Sequence, residues 1–394
     1  MMGWPRMPLG EIFEIARGGS PRPIDAYITD SDDGINWISI ADASESSKYI
    51  ERTRRRIRSE GASRSRSVVP GDLLLTNSMS FGRPYIMRTT GCIHDGWLVL
   101  ARKREGIDQD FFYRLLGSDA VYADFARLAA GATVKNLNID LVKGVSVPVP
   151  PLPEQRRIAA ILDQADALRA KRREALVQLE SLTQSIFIEM FGDPIENPRR
   201  LPVRRLIDLV DGDRPITYGI LMPGPDQETG VKYVRVVDMR NGGIDLSGVR
   251  STTQAISNAY KRSLLRAGDL LMSIRGHVGR LALVPKELEG ANITQDTARF
   301  AIAGADPVFV RECLRTPGFQ RWMAKHTKGV AVRGINLGDV KQMPVIVPST
   351  DVQQAFRRRA IAVDEIMAIH RTALAEADAL FASLQHRAFA GQLS

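Results

Sequence analysis

VPGDLLLTNSMSFGRPYIM (Val69–Met87) and RAGDLLMSIRGHVGRLALV (Arg266–Val284) are one stretch written twice in a chain of 394 residues. Gly71-Asp72-Leu73-Leu74 aligns with Gly268-Asp269-Leu270-Leu271 at an offset of 197, and Gly82-Arg83 with Gly279-Arg280 at the same offset. Upstream, GINWISIAD (Gly34–Asp42) aligns with GVKYVRVVD (Gly230–Asp238) at 196. Downstream, GATVKNLN (Gly131–Asn138) aligns with GVAVRGIN (Gly329–Asn336) at 198. A register that drifts by two residues over about 100 positions marks a duplication.

Each copy alternates short apolar runs (Trp37 to Ile40; Tyr233 to Val236) with Gly, Asp and Asn turns, which is strand chemistry. A brief helical stretch follows (Phe111 to Leu116; Phe309 to Arg315), then a closing strand before a proline (Val145 to Val149; Val345 to Val347). After each globule comes a long helix. Pro153 and Glu154 suit the start of the first, and Gly192 and Pro194 end it. Its seam reads Ile161, Ala165, Leu168, Arg172, Ala175, Leu179, Leu182, Ile186. The second opens with Thr350 and Gln353 at capping-box spacing. Its seam reads Phe356, Ala360, Val363, Met367, His370, Leu374, Ala377, Phe381, Leu384, Ala388. Both alternate by four and three, each with one polar break, Arg172 or His370, which predicts a coiled coil whose register those two residues fix. The expected fold is therefore α+β: two repeated mixed α/β domains (1–150 and 194–348) joined by two long helices (151–193 and 349–394) that form an antiparallel coiled coil. About 38 residues at about 1.5 Å each make a rod of about 57 Å.

Apolar residues make up 44% and charged residues 25%, as in a folded globular protein. No apolar run approaches the roughly 20 residues that span a bilayer, and no export signal opens the chain. Cys92 and Cys313 stand alone, without metal-ligand or disulfide spacing. A cytoplasmic protein without a membrane partner is expected. The net charge of +9 favours a polyanionic partner, since neutralising phosphates releases counterions.

With these features the chain resembles the specificity subunits of type I restriction-modification systems. The resemblance is carried by PPLPEQRRIAAILDQADALRAKR (Pro150–Arg172), QSIFIEMFGDP (Gln184–Pro194), the GDLL and GATVKNLN segments, and the ending AFAGQL (Ala388–Leu393). PSTDVQQAF, at the start of the second long helix, departs from the Pro-Glu-Gln form. The resemblance implies two target-recognition domains, each reading half of a split double-stranded DNA target, with the helix pair setting the gap. It also implies two methyltransferase (modification) subunits, which bind S-adenosylmethionine and methylate adenine. Two motor-nuclease (restriction) subunits, using ATP and magnesium, complete the implied assembly. No cofactor is expected in this chain itself.

The sharpest candidate for DNA contact is SSKYIERTRRRIRSEGASRSR (Ser46–Arg66). It holds Lys48, Arg52, Arg54, Arg55, Arg56, Arg58, Arg64 and Arg66, interleaved with hydroxyl side chains that suit phosphates. In the second copy the equivalent region, Asp238–Arg266, is less basic, with Arg240, Arg250, Lys261, Arg262 and Arg266, and Arg275 and His277 sit on a Gly-flanked turn, where an arginine can bracket a guanine edge. Lys135, Lys328 and Arg333 lie beside the Gly-Asn motifs as phosphate ligands. Segments shared by the copies, GDLL and Gly-Asn, read as scaffold. The segments that differ read as specificity.

Catalytic readings find little. There is no P-loop, no Gly-rich loop in a strand-to-helix context, and no aromatic completing the Asn-Pro of Glu196–Arg200 into a base-flipping motif. The five histidines are scattered without metal spacing, and Asp269 recurs as Asp72 in a turn. The remaining alternative is a coiled-coil scaffold whose globules bind proteins rather than DNA.

Overall fold

Gly71 and Gly268 sit at φ of +97° and +88°, a backbone region that side chains with a Cβ rarely enter. At each turn the following aspartate closes the loop. Asp72 Oδ2 accepts the Val69 amide at 2.9 Å, and Asp269 Oδ2 accepts the Arg266 amide at 2.8 Å. GDLL is thus a turn that launches a wholly buried strand, Leu73–Thr76 in one copy and Leu270–Ser273 in the other. The Gly-Asn motif is scaffold too. Asn138 and Asn336 cap short helices by accepting the amides of Asp140 and Asp339, each at 2.8 Å.

The computed structural model describes residues 4–44, 48–77, 82–129, 137–240, 242–329 and 333–393. They fall into two compact units: one runs to Lys171 and resumes at Ala373, and the other is Arg172–Thr372. In the first unit, a five-stranded sheet has the order Phe13–Arg17, Trp97–Arg102, Leu73–Thr76, Pro84–Met87, Tyr49–Ile50. A second sheet pairs Ile35–Ile38 with Gly91–Ile93 in parallel and with Arg55–Ile57 in antiparallel register. The second unit repeats the plan. Thr217–Tyr218, Thr297–Phe300, Leu270–Ser273 and Leu281–Leu283 form one sheet, while Val231–Val234 lies between Arg250–Thr252 and Asn292–Ile293 in the other. The predicted first runs are strands only through Ile38 and Val234, after which the chain turns helical.

The long helices are Leu152–Phe191 and Thr350–Phe389. Each contributes one part to each unit, and the same devices bind both units to them. Gln155 accepts the Asp108 amide (2.9 Å) and donates to the carbonyls of Gly106 and Pro150. Gln353 accepts the Asp306 amide (2.8 Å) and donates to the Pro348 carbonyl, so it faces inward instead of closing a capping box with Thr350. Phe111 meets Phe389 at 5.8 Å in the first unit, and Phe309 meets Phe191 at 5.1 Å in the second. Each phenylalanine of one pair lies 198 positions from its counterpart in the other.

The helices run antiparallel within both units: Arg169 pairs with Asp378 in the first, and Phe187 packs on Phe356 in the second. The inner face of Thr350–Phe389 follows the predicted seam. That of Leu152–Phe191 does not. Leu168 and Leu182 are exposed, and the inward stripe is Ile158, Leu162, Arg169, Arg172, Leu176, Thr183 and Phe187. The globules draw that helix's face toward their own cores, so heptad spacing alone does not find it. Among the described residues no helix is long and apolar enough to cross a membrane.

Candidate nucleic-acid interface

The basic run is not one loop. Its arginines ride on strand Arg55–Ile57, a short helix at Ser59–Ala62 and strand Arg66–Val68, anchored by the buried Ile57. Arg52, Arg54, Arg55, Arg58, Arg64 and Arg66 are exposed. Arg56 is half-buried, ion-paired to Asp32 at 3.0 Å and bonded to the Ser31 carbonyl at 3.1 Å. Arg64 donates to the Tyr27 hydroxyl at 2.8 Å and lies over its ring.

Lys48 departs from the expected exposed cation. Its ammonium is buried between Asp110 (2.7 Å) and Asp163 (2.6 Å). Burial works to lower its pKa, but the hydrogen bonds and charge of the two carboxylates outweigh burial and hold it above the usual lysine value. Lys48 therefore fastens the globule to the first long helix and is spent as a phosphate ligand. Lys135 lies outside the described residues.

In the second unit four of the predicted residues come together. Arg275 and Lys328 both form backbone bridges with Gly334, and the Gly276 amide donates to the Arg333 carbonyl at 2.9 Å. His277 sits on the same exposed turn, held from inside by the Ser273 hydroxyl, which donates to its carbonyl. A cavity of about 450 Å³ is lined here by Gly276, Val278, Gln320, Thr327, Gly329 and Arg333. Gln320 also borders a cavity of about 750 Å³ carrying Arg240, Arg280 and Arg315, with Glu180 opposite. The basic face thus extends from Arg240 to Lys328. Arg250 stands apart on its own strand, 3.9 Å from Asp226.

Arg280 and Arg315 were not legible as candidates from composition. Arg280 had a signal in its repeat partner Arg83, which borders a cavity of about 540 Å³ in the first unit with Arg169 and Asp378. Asp378 and Glu180, the helix acids in the two cavities, are also 198 positions apart. At the polar seam positions, Arg172 Nη1 lies 3.4 Å from His370 Nδ1. A guanidinium only donates, so the imidazole nitrogen accepts. Asp166, on the same helix, binds Arg114 (2.9 Å) and Arg169 (3.0 Å).

The chain is similar to known proteins over most of its length. Residues 1–180 match a family described as the type I restriction modification DNA specificity domain. The type I restriction enzyme EcoBI specificity subunit of Escherichia coli is 27% identical over 358 residues, covering 83% of this chain and 74% of the relative. The MjaIX specificity subunit of Methanocaldococcus jannaschii is 22% identical over 387 residues, 90% of this chain and 85% of the relative. The fold matches a chain from a structural study of complex assembly and conformational transition of the type I R-M system, with a TM-score of 0.60 at 18% identity and coverage of 100% and 99%. It also matches a type I restriction-modification S subunit from M. genitalium, with a TM-score of 0.55 at 15% identity and coverage of 98% and 96%.

Proposed function

We propose that this chain, whose residues 1–180 match the type I restriction modification DNA specificity domain, is a specificity subunit of that kind, that its two units read the two halves of a split double-stranded DNA target, and that it carries no catalytic centre. One observation carries this reading. The units share the glutamine, phenylalanine and arginine–aspartate contacts that hold the long helices and differ in the surfaces that carry the cations. Such a chain has fixed mounts and interchangeable readers, and the helix pair between them sets the half-site gap. The arginines at 52–66 face DNA from the first unit. The face from Arg240 to Lys328 does so from the second.

The partners we propose are two methyltransferase subunits supplying S-adenosylmethionine chemistry, joined for cleavage by two motor-nuclease subunits that use ATP and magnesium, all in the cytoplasm. Leu168 and Leu182 of the first long helix are exposed, and so are Ile366 and Leu380 of the second, each 198 positions on. Exposed apolar residues repeated at that offset support two equivalent docking places for two copies of one partner.

Exchanging residues 1–150 for the corresponding domain of another specificity subunit tests this. Mapping methylated adenines should show one half of the target changed and the other kept. A change in both halves together, or no DNA recognition by the partner-bound chain, overturns the reading.

A further inference from the structure

Strand Thr297–Phe300 of the second unit takes the place of Trp97–Arg102 in the first: Leu271 faces Arg299 as Leu74 faces Val99. Val99 is buried in an apolar cluster with Trp97 and Leu74. Its counterpart is an arginine only 1% exposed. Arg299 Nη2 donates to the carbonyls of Pro215 (3.0 Å) and Arg262 (2.9 Å), and Nη1 to that of Arg214 (3.4 Å). Its Nε, also buried, has no partner among the described residues.

Those three acceptors are neutral. The acid at this end of the strand, Asp269, is already held by Arg214 through bonds of 2.8 and 2.6 Å. A buried guanidinium is costly, and burial, then the Arg214 charge, outweigh Asp269 and Asp211 and push its pKa below the ordinary arginine value. Beside it opens a cavity of about 420 Å³. Arg214, Lys261, Arg262 and Arg266 add to its walls and outnumber the two acids there, Asp213 and Glu289, the latter accepting the Ala267 amide at 2.6 Å.

We propose that this cavity is an oxyanion site that takes a phosphate group, built in the second unit alone, with Arg299 at its base and Lys261, Arg262 and Arg266 at its rim. Charge-assisted donors converging on a cleft suit a tetrahedral oxyanion, which adds negative charge beside the buried guanidinium. The phosphate is either a backbone group of DNA or free inorganic phosphate. Only the first of these rests on the DNA reading given above.

Thermal unfolding of the full chain in sodium phosphate, against sodium chloride at matched ionic strength, is the first test. The midpoint should rise saturably with phosphate beyond the chloride control, and Arg299→Val, the residue type at the equivalent position of the first unit, should abolish the saturable part. Should that variant not fold, the surface pair Lys261→Ala/Arg266→Ala should raise the half-saturating phosphate by about tenfold or more. A wild-type response no larger than that to chloride, or a surface-pair variant titrating like wild type, overturns the site. In the methyltransferase-bound complex the same pair identifies the source. A salt slope for target binding lowered by about one per lost contact points to DNA phosphate. An unchanged slope with the phosphate response weakened points to the free anion. A complex that binds no DNA would refute the DNA reading while leaving the phosphate titration intact.

Discussion

Each unit grips the long helices with a buried arginine. In the first, Arg114 reaches Asp163 (2.7 Å) and Asp166 (2.9 Å). In the second, Arg311 reaches Glu312 (2.6 Å) and Asp364 (2.9 Å). Asp364 is Asp166 carried forward by 198 positions, but Asp163 has been replaced by an acid on the globule's own helix. The difference shows in burial, because the Glu312 side chain is fully buried while that of Asp163 is 37% exposed. A duplicated scaffold keeps the function of a contact longer than the residues that make it. The basic run Ser46–Arg66 has no equally charged counterpart in the second unit, so the surfaces diverge further than the mounts.

The widest consequence of a shared mount concerns spacing. Lys171 and Arg172 mark the point where the first long helix leaves one unit for the other. Four residues inserted after Lys171 add about one turn and roughly 6 Å of rise. With about 3.4 Å per base pair, the preferred gap between half-sites should grow by one or two base pairs, and methylation at the original target should be lost. The half-site sequences should stay the same. A folded, partner-bound variant that still methylates at the original spacing would show that the helices are not the ruler.

The two clasps should differ in strength. Arg311→Met leaves the fully buried Glu312 with only Arg315 (3.1 Å) and Gln184 (2.7 Å), so a loss of about 3 kcal/mol is expected. Arg114→Met leaves carboxylates that water reaches, and Lys48 still holds Asp163, so a loss of about 1–3 kcal/mol is expected. Denaturant unfolding of both variants measures the gap. Equal losses would mean that the exposure of the partner carboxylates does not set the cost.

Legibility followed sequence distance. The duplication, the GDLL turn, the starts of both long helices and the end of the first could be read because their causes lie within a few residues. Lys48 could not: its partner Asp163 is 115 positions away, and only the folded chain brings an acid there. The first helix's inner face was misplaced for the same reason, since Leu168 and Leu182 fit a heptad while the globule cores select Leu162 and Phe187. Arg299 hid inside TARF, where only strand pairing reveals that an arginine stands in a valine's place. Among the DNA candidates, sequence found the charge but not which cations are already engaged.

That last distinction yields the smallest effect and separates the two kinds of cation directly. Binding of the methyltransferase-bound complex to its target duplex, followed over a range of salt, reports phosphate contacts through the slope of log K against log salt. Replacing Arg54, Arg55 and Arg56 together with Ala should lower that slope, and the single variants should not share the loss equally. Arg55→Ala and Arg58→Ala, on the exposed side of the strand and its following turn, should each lower it by about one if each neutralises one phosphate. Arg56→Ala should change it less, because Asp32 already balances that guanidinium at 3.0 Å. Lys48→Met should leave the slope alone and reduce stability instead, since its ammonium bridges Asp110 and Asp163 out of solvent. If Arg55 and Arg58 leave the slope unchanged, the run is a solvated edge of the sheet, and the first unit must meet DNA elsewhere.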